Sequence, residues 1–198
     1  MLNIPWKVIP HKNLVLKIAP IPYYLLPITH SQTTMTIYFY SSNDEYSEFS
    51  NFSKHGFELK GKYWPTVEHY FQAQKFPSLP QEERIRTAPT PSKAKQLGRT
   101  RSVPLRADWE MVKDNIMREA VLAKFRTHDN LKTLLLGTGS EKLVENAPKD
   151  YYWGCGQDGS GKNMLGKILM ETRESLRQEQ VASKPEWKIC SRLILEKL

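Results

Sequence analysis

Apolar and polar positions along residues 36–180 follow two different periods, and each stretch takes the element whose period it keeps. Thr36–Tyr40 is aromatic and β-branched and reads as a strand. Phe57–Trp64, with Gly61 at a turn, reads as a short hairpin. Pro65–Phe76 follows as a helix, proline suiting its first turn. Gln81–Ala88 and Pro91–Leu97 read as two further short helices. Trp109, Val112, Ile116, Ala120 and Ala123 share one face of a long helix from Trp109 to about Thr127, with Asp108 in the N-cap position. Leu131–Leu136 reads as a helix stopped by Gly137, Lys142–Glu145 as a strand, Tyr151–Gly161 as a glycine-rich loop and Asn163–Gln180 as the last helix. Repeats and the strand–helix alternation of a doubly wound sheet are both absent, which predicts a helix-dominated mixture with a few short strands.

The first 34 residues break this pattern. Prolines at 5, 10, 20, 22 and 27 cut every apolar run, so neither a secretory core nor a membrane span of about 20 apolar residues is present there. The chain therefore divides into a proline-rich extension, 1–34, a compact domain, 35–180, and a short tail, 181–198, with Met35 a candidate start of the domain. The extension reads either as a loose tail or as a strap packed on the domain. The net charge of +8 is spread as +3 over 1–34, +2 over 181–198 and +3 over the long middle, so charge alone does not demand a phosphate-backbone partner. Cys155 and Cys190 make no disulfide framework or zinc spacing, and a reduced, cytosolic setting is the default.

Four segments carry candidate chemistry. In Trp64–Phe76, Glu68, Phe71, Gln72 and Lys75 share one arc of the helix while Tyr70, Ala73 and Phe76 lie on the other side. Glu68 and Lys75 lie roughly 10 Å apart along the axis, too far for a simple surface pair. They are either a solvated stripe or two groups converging on something between them. In Lys149–Asn163, aromatics adjoin Asp150 and glycines lead through Lys162 and Asn163 into a helix, which suits either a flexible loop or a phosphate at a helix start. Lys162 is followed by Asn163 rather than Ser or Thr, which excludes a P-loop. Arg99, Arg101 and Arg106 form either a solvated basic loop or a phosphate grip. Asn51, beside Phe52, can hold a turn or hydrogen-bond a base or sugar while a ring stacks. No histidine or cysteine has a metal-ligand spacing, His69 points away from Glu68 and reads as structural, and no nucleophile elbow is present, so neither a metal nor a cofactor is expected.

Taken together, Glu48–Phe52, Trp64–Phe76, Gly98-Arg99, Arg106 with Trp109, Tyr152–Gly154 and Gly161–Gly166 resemble the YbiA-like, or NADAR, family in its order over about residues 36–178. The resemblance implies a single helix-rich α+β domain and an N-glycosidase. Such enzymes act on phosphorylated ribosyl intermediates of early riboflavin synthesis, and other members remove ADP-ribose from guanine. It places Glu68, Trp109, Asp150 and Trp153 at functional positions and Lys75 at the family's helix lysine. Under that reading Glu68 stabilises the oxocarbenium ion or activates water, with Asp150 as partner or ribose orienter. Trp109 and Trp153 sandwich the base, Lys75 serves the leaving group or forms a Schiff base, and Arg99, Arg101 and Arg106 are the phosphate candidates. Asn51, Phe52, Gln72, Gly154, Lys162 and Asn163 complete the binding set. Expected partners are a small phosphorylated ribosyl substrate or ADP-ribosylated guanine, with nucleic acid possible and membrane excluded. A non-catalytic ADP-ribose reader is the rival from another class, and the intact Glu68 and Asp150 argue against it.

Overall fold

A run of β-branched and aromatic residues, Thr36–Phe39 (β1), pairs in parallel with Lys142–Glu145 (β4), so two segments far apart in the chain form one small sheet. Between them lie an antiparallel hairpin, Phe57–Leu59 (β2) and Lys62–Trp64 (β3), and the helices Val67–Ala73 (α1), Pro80–Arg86 (α2), Pro91–Gly98 (α3), Trp109–Thr127 (α4) and Asp129–Gly137 (α5). Met164–Ala182 (α6) follows β4. The computed structural model describes residues 35–40 and 44–183; the readings made for 1–34 and for the tail from 184 onward lie outside these residues. The result is an α+β domain in which helices dominate. Among the described residues no helix is long and apolar enough to cross a membrane.

The hairpin turn takes the left-handed backbone at both Lys60 (φ 53°) and Gly61 (φ 73°), the pattern that matches strand twist in a two-residue connection. Helix α1 begins at Val67, two residues later than the expected start at Pro65. Thr66 is its N-cap, accepting from the His69 N–H, and Pro65 lies outside the helix. It also ends at Ala73 rather than Phe76. All seven of its residues are buried, because α2, α3 and α4 pack around it. The solvated-stripe reading therefore falls.

Asp108 stands at the start of α4 but does not cap it; its carboxylate is turned to Arg106. The core face of α4 is also broader than five positions. Met117, Val121 and Phe125 are buried on it, while Val112 and Ala123 are only partly covered. Phe49 packs against Phe39 and Phe125 at 5.7 and 5.9 Å between ring centroids, joining the first strand to the long helix.

Two buried polar side chains fasten the loops around this core. Lys124, on α4, donates to the carbonyls of Glu48 and Ser50 and to Ser53 Oγ, clamping the loop that carries Asn51. Asn163 adopts the left-handed conformation (φ 50°), and its amide donates to the Leu143 carbonyl while its Oδ1 accepts from the Glu145 N–H, at 2.8 and 2.9 Å. It thus acts as a one-residue strand on the free edge of β4. Gly166 lets the first turn of α6 lie against that edge, since a Cβ there would collide with the Leu143 carbonyl and the Asn163 side chain.

The Lys124 clamp generates a prediction. Lys124→Met leaves the buried carbonyls of Glu48 and Ser50 without their donor. Urea unfolding should show a loss of about 2–4 kcal/mol with an unchanged slope. An unchanged midpoint would mean that the loop is held elsewhere.

Candidate active site

The residues of α1 that share one arc line a cavity of about 340 Å³, together with the Asn51–Phe52 loop, Lys95 and Arg99 at the end of α3, Trp109, Lys113 and Met117 on α4, Glu145 at the end of β4 and the Asp150–Trp153 loop. At its floor Glu68 is only 5% exposed. Gln72 Nε2 donates to Glu68 Oε1 at 2.9 Å, and Lys75 Nζ donates to Gln72 Oε1 at 2.6 Å. The seven-residue separation of acid and lysine is thus spanned by the amide between them. Glu68 and Gln72 stand one helical turn apart on α1, and Lys75, in the turn just past the helix, reaches back to Gln72. Gly98 makes room for this chain, since a Cβ at that position would strike the Gln72 side chain, and its carbonyl accepts a second bond from Lys75 at 3.3 Å.

Opposite charges and burial set the protonation of the pair. Burial pushes the Glu68 carboxyl up, opposed by the Gln72 hydrogen bond and by Lys95, Lys75 and Arg99. Burial pulls the Lys75 ammonium down; Glu68 opposes this, and Arg99, Lys95 and Arg101 add to it. The wall beside them is aromatic. Phe71 lies 5.0 Å from the Trp109 ring and 5.1 Å, nearly edge-on, from Trp153, so the two indoles are joined by a phenyl ring. Lys75 Nζ sits 5.4 Å from the Trp109 ring centroid.

The loop bearing Trp153 is held by backbone bonds. Asp150 Oδ1 accepts from the N–H groups of Tyr152 and Trp153, at 3.0 and 2.8 Å. The carbonyls of Tyr152 and Trp153 in turn accept from Met164 and Leu165, the first N–H groups of α6. Those donors are therefore spent on the loop, and the reading of a phosphate at this helix start is corrected.

Asn51, Phe52, Glu68, Gln72, Lys75, Arg99, Trp109, Asp150 and Trp153 line the cavity, as the sequence reading expects of a shared site. Other expected members lie elsewhere. Arg106 is engaged with both oxygens of Asp108, and its N–H donates to the Lys75 carbonyl, so it braces the lysine's turn rather than gripping phosphate. Arg101 is exposed and off the cavity. Lys162 is exposed over the outer face of Tyr152. Gly154 is a packing position against Ala147, and Asn163 is the clasp on β4. His69 is structural, spanning from Thr66 Oγ1 at 2.7 Å to the Ala88 carbonyl at 3.0 Å.

Lys95, Lys113, Met117 and Glu145 also line the cavity and are not among the residues expected from the sequence. Lys95 looks like any lysine on a short amphipathic helix. Lys113 carried a signal, one helical turn beyond Trp109. Glu145 carried one too, being an acid on the same strand face as buried Leu143. Asn51 Oδ1 and Glu145 Oε2 are both buried without a hydrogen-bond partner among the described residues. Among those residues no three His, Cys, Asp or Glu side chains are arranged to hold a metal ion.

Fold and cleft define a helix-rich α+β domain that turns a buried acid, an amide and a lysine toward an aromatic wall. The NADAR domain family matches residues 38–177. N-glycosidase YbiA of Escherichia coli is 50% identical over 153 residues, covering 77% of this chain and 96% of that protein. An N-glycosidase of Nostoc punctiforme is 52% identical over 146 residues, 72% and 94% of the two chains. A Zea mays riboflavin biosynthesis protein, PYRR, is 40% identical over 158 residues, 72% of this chain but 25% of its own length. The NMR structure of Escherichia coli YbiA aligns with a TM-score of 0.73 at 48% identity, covering 80% of this chain and 95% of that one. The chain belongs to the NADAR family, as its motifs suggest.

Two predictions come from the buried acid and its neighbours. A carboxyl whose folded pKa is raised lowers stability as pH climbs past the unfolded value, and the cost is complete above the folded one. Glu68→Gln should therefore melt above the wild type at neutral and alkaline pH, with the gap closing toward about pH 4. A constant gap in thermal melts would refute the linkage. Gly98→Ala should displace Gln72 and so separate Glu68 from Lys75, lowering turnover at least tenfold while the protein still melts cooperatively; wild-type kinetics in that variant would show that the relay is dispensable.

Proposed function

We propose that this chain, an N-glycosidase by family, hydrolyses the bond between a nitrogen base and a phosphorylated ribose, with ribosylaminopyrimidine 5′-phosphates of early riboflavin synthesis as its substrates. The observation that carries the reading is the buried Glu68, joined through Gln72 to Lys75 and facing the Trp109–Phe71–Trp153 wall. Cleavage of the C1′–N bond sends its electron pair to the base and leaves oxocarbenium character on the ribose. A carboxylate fixed in a site of low dielectric stabilises that charge far better than water does. Lys75 supplies the proton that the departing nitrogen takes up. The aromatic wall offers the base a flat apolar surface. Lys95 and Arg99, at the rim, are the phosphate ligands, in place of Arg101 and Arg106. The name of the maize relative supports the riboflavin assignment.

A second substrate follows from one further feature. A cavity of about 820 Å³ adjoins the first, shares Phe52, Lys95, Arg99, Glu145 and Asp150 with it, and adds Lys54, His55 and Lys149. That space suits a ribose carrying a larger phosphate-linked group, as in ADP-ribosylated guanine.

The test is a paired turnover assay of the wild type and Glu68→Gln, with ribosylaminopyrimidine 5′-phosphate or with guanine-ADP-ribosylated DNA, both in EDTA. Base released from the first substrate, with the variant slowed by about a thousandfold yet still binding, is the expected result. Release from the DNA alone would reassign the substrate, and its binding would weaken steeply with salt. Binding without release from either would mean a reader rather than an enzyme.

A further inference from the structure

We propose that Glu145 is a second catalytic carboxylate of this cleft, the general base that takes a proton from the water attacking the ribose carbon. The assignment rests on the N-glycosidase reading above. Glu145 is the last residue of β4 and is held by its backbone on both sides. Its N–H donates to Asn163 Oδ1, and its carbonyl accepts from the N–H groups of Ala147 and Cys155, each at 2.9 Å. Its side chain lines both cavities, at the seam where they meet. Oε2 is buried and has no hydrogen-bond partner among the described residues. By contrast, Glu68 Oε1 is committed to Gln72, and Asp150 Oδ1 to two backbone N–H groups.

The charged groups around Glu145 are Asp150 from the following loop, Lys95 from α3 and Glu68 from α1. Burial and the Asp150 charge push its carboxyl up to about 7, against the pull of Lys95. A base matched to neutral pH both ionises there and holds a proton well. The step then balances. The C1′–N bond breaks and its electron pair goes to the base nitrogen, which takes a proton from the Lys75 ammonium. Water oxygen forms the new C1′–O bond, and its proton passes to the Glu145 carboxylate. Glu145 and Lys75 return to their starting states by exchange with solvent.

The experiment compares wild type, Glu145→Gln and Glu145→Asp on ribosylaminopyrimidine 5′-phosphate from about pH 5 to 9, with a thermal melt of each protein. Wild-type kcat should rise on the acid side as the carboxyl ionises. Glu145→Gln should lose about 10²- to 10⁴-fold in kcat with KM within a few-fold, and its acid limb should shift, the remaining limb being that of Glu68. Glu145→Asp should keep part of the rate and the limb. The proposal is overturned if Glu145→Gln turns over within threefold of the wild type. It is also overturned if that variant loses rate while the acid limb stays where the wild type has it, which a merely structural role would give. A wild type that releases no base overturns the glycosidase reading and this assignment with it, a result separable from equal turnover by both proteins.

Discussion

Helix α1 carries an acid, an imidazole, a phenol and an amide, and every one of its residues is out of water. A buried polar group without a partner costs about 1–3 kcal/mol, so each of these side chains must find one within a few ångströms. The neighbours of α1 are arranged by that demand. His69 reaches from Thr66 to the Ala88 carbonyl just before α3. Tyr70 donates to Glu119 on α4 at 2.8 Å. Glu68 has Gln72, Gln72 has Lys75, and Lys75 has the end of α3. Helix packing around α1 and assembly of the cleft are therefore one event.

The loops of the cleft are fastened by groups that do not line it. Lys124 holds the Asn51 loop from behind, Asn163 and the first turn of α6 hold the Trp153 loop, and Arg106 braces the turn that bears Lys75. The Glu68 N–H adds a bond to the Asn51 carbonyl, tying the loop to α1. Such supports keep reacting groups within fractions of an ångström of a productive geometry, which is where much of the rate advantage of a preorganised site arises. Helices α1, α4 and α6 and the loop bearing Arg106 contribute through backbone or buried polar contacts, so a substitution well away from the cavity can still reach it.

Two buried oxygens without partners among the described residues fall in this one cleft. The oxygens Asn51 Oδ1 and Glu145 Oε2 are buried without partners, and Glu68 and Glu145 are both pushed toward their neutral forms by burial. In a folding unit selected for stability alone, these positions would be apolar or paired. Here they leave acceptors and proton-holding groups at the wall of a cavity lined by rings. Stability lost in the cleft is offset by the aromatic and aliphatic packing of α4 and α6 outside it.

Local pattern was enough for nearly every element: the hairpin at Gly61, the long helix from Trp109, the strand at Lys142–Glu145 and the glycine-rich loop are all written in neighbouring residues. So was the pairing of Glu68 with Gln72, because helical periodicity fixes which side chains share a face, whereas Lys75 joins them from the turn after α1. What the sequence by itself did not determine is everything that depends on separation along the chain. The parallel pairing of β1 with β4, the complete burial of α1, and the arrival of Lys95 and Glu145 at the cavity each need segments tens of residues apart to meet. The diversion of Asp108 and Arg106 to each other, and of Asn163 to the edge of β4, likewise turned expected cap and ligand residues into supports. A side chain's type and period reveal what it can bind, but only the packed chain decides which partner reaches it first. That is why the helix motif was legible and the far wall of the site was not.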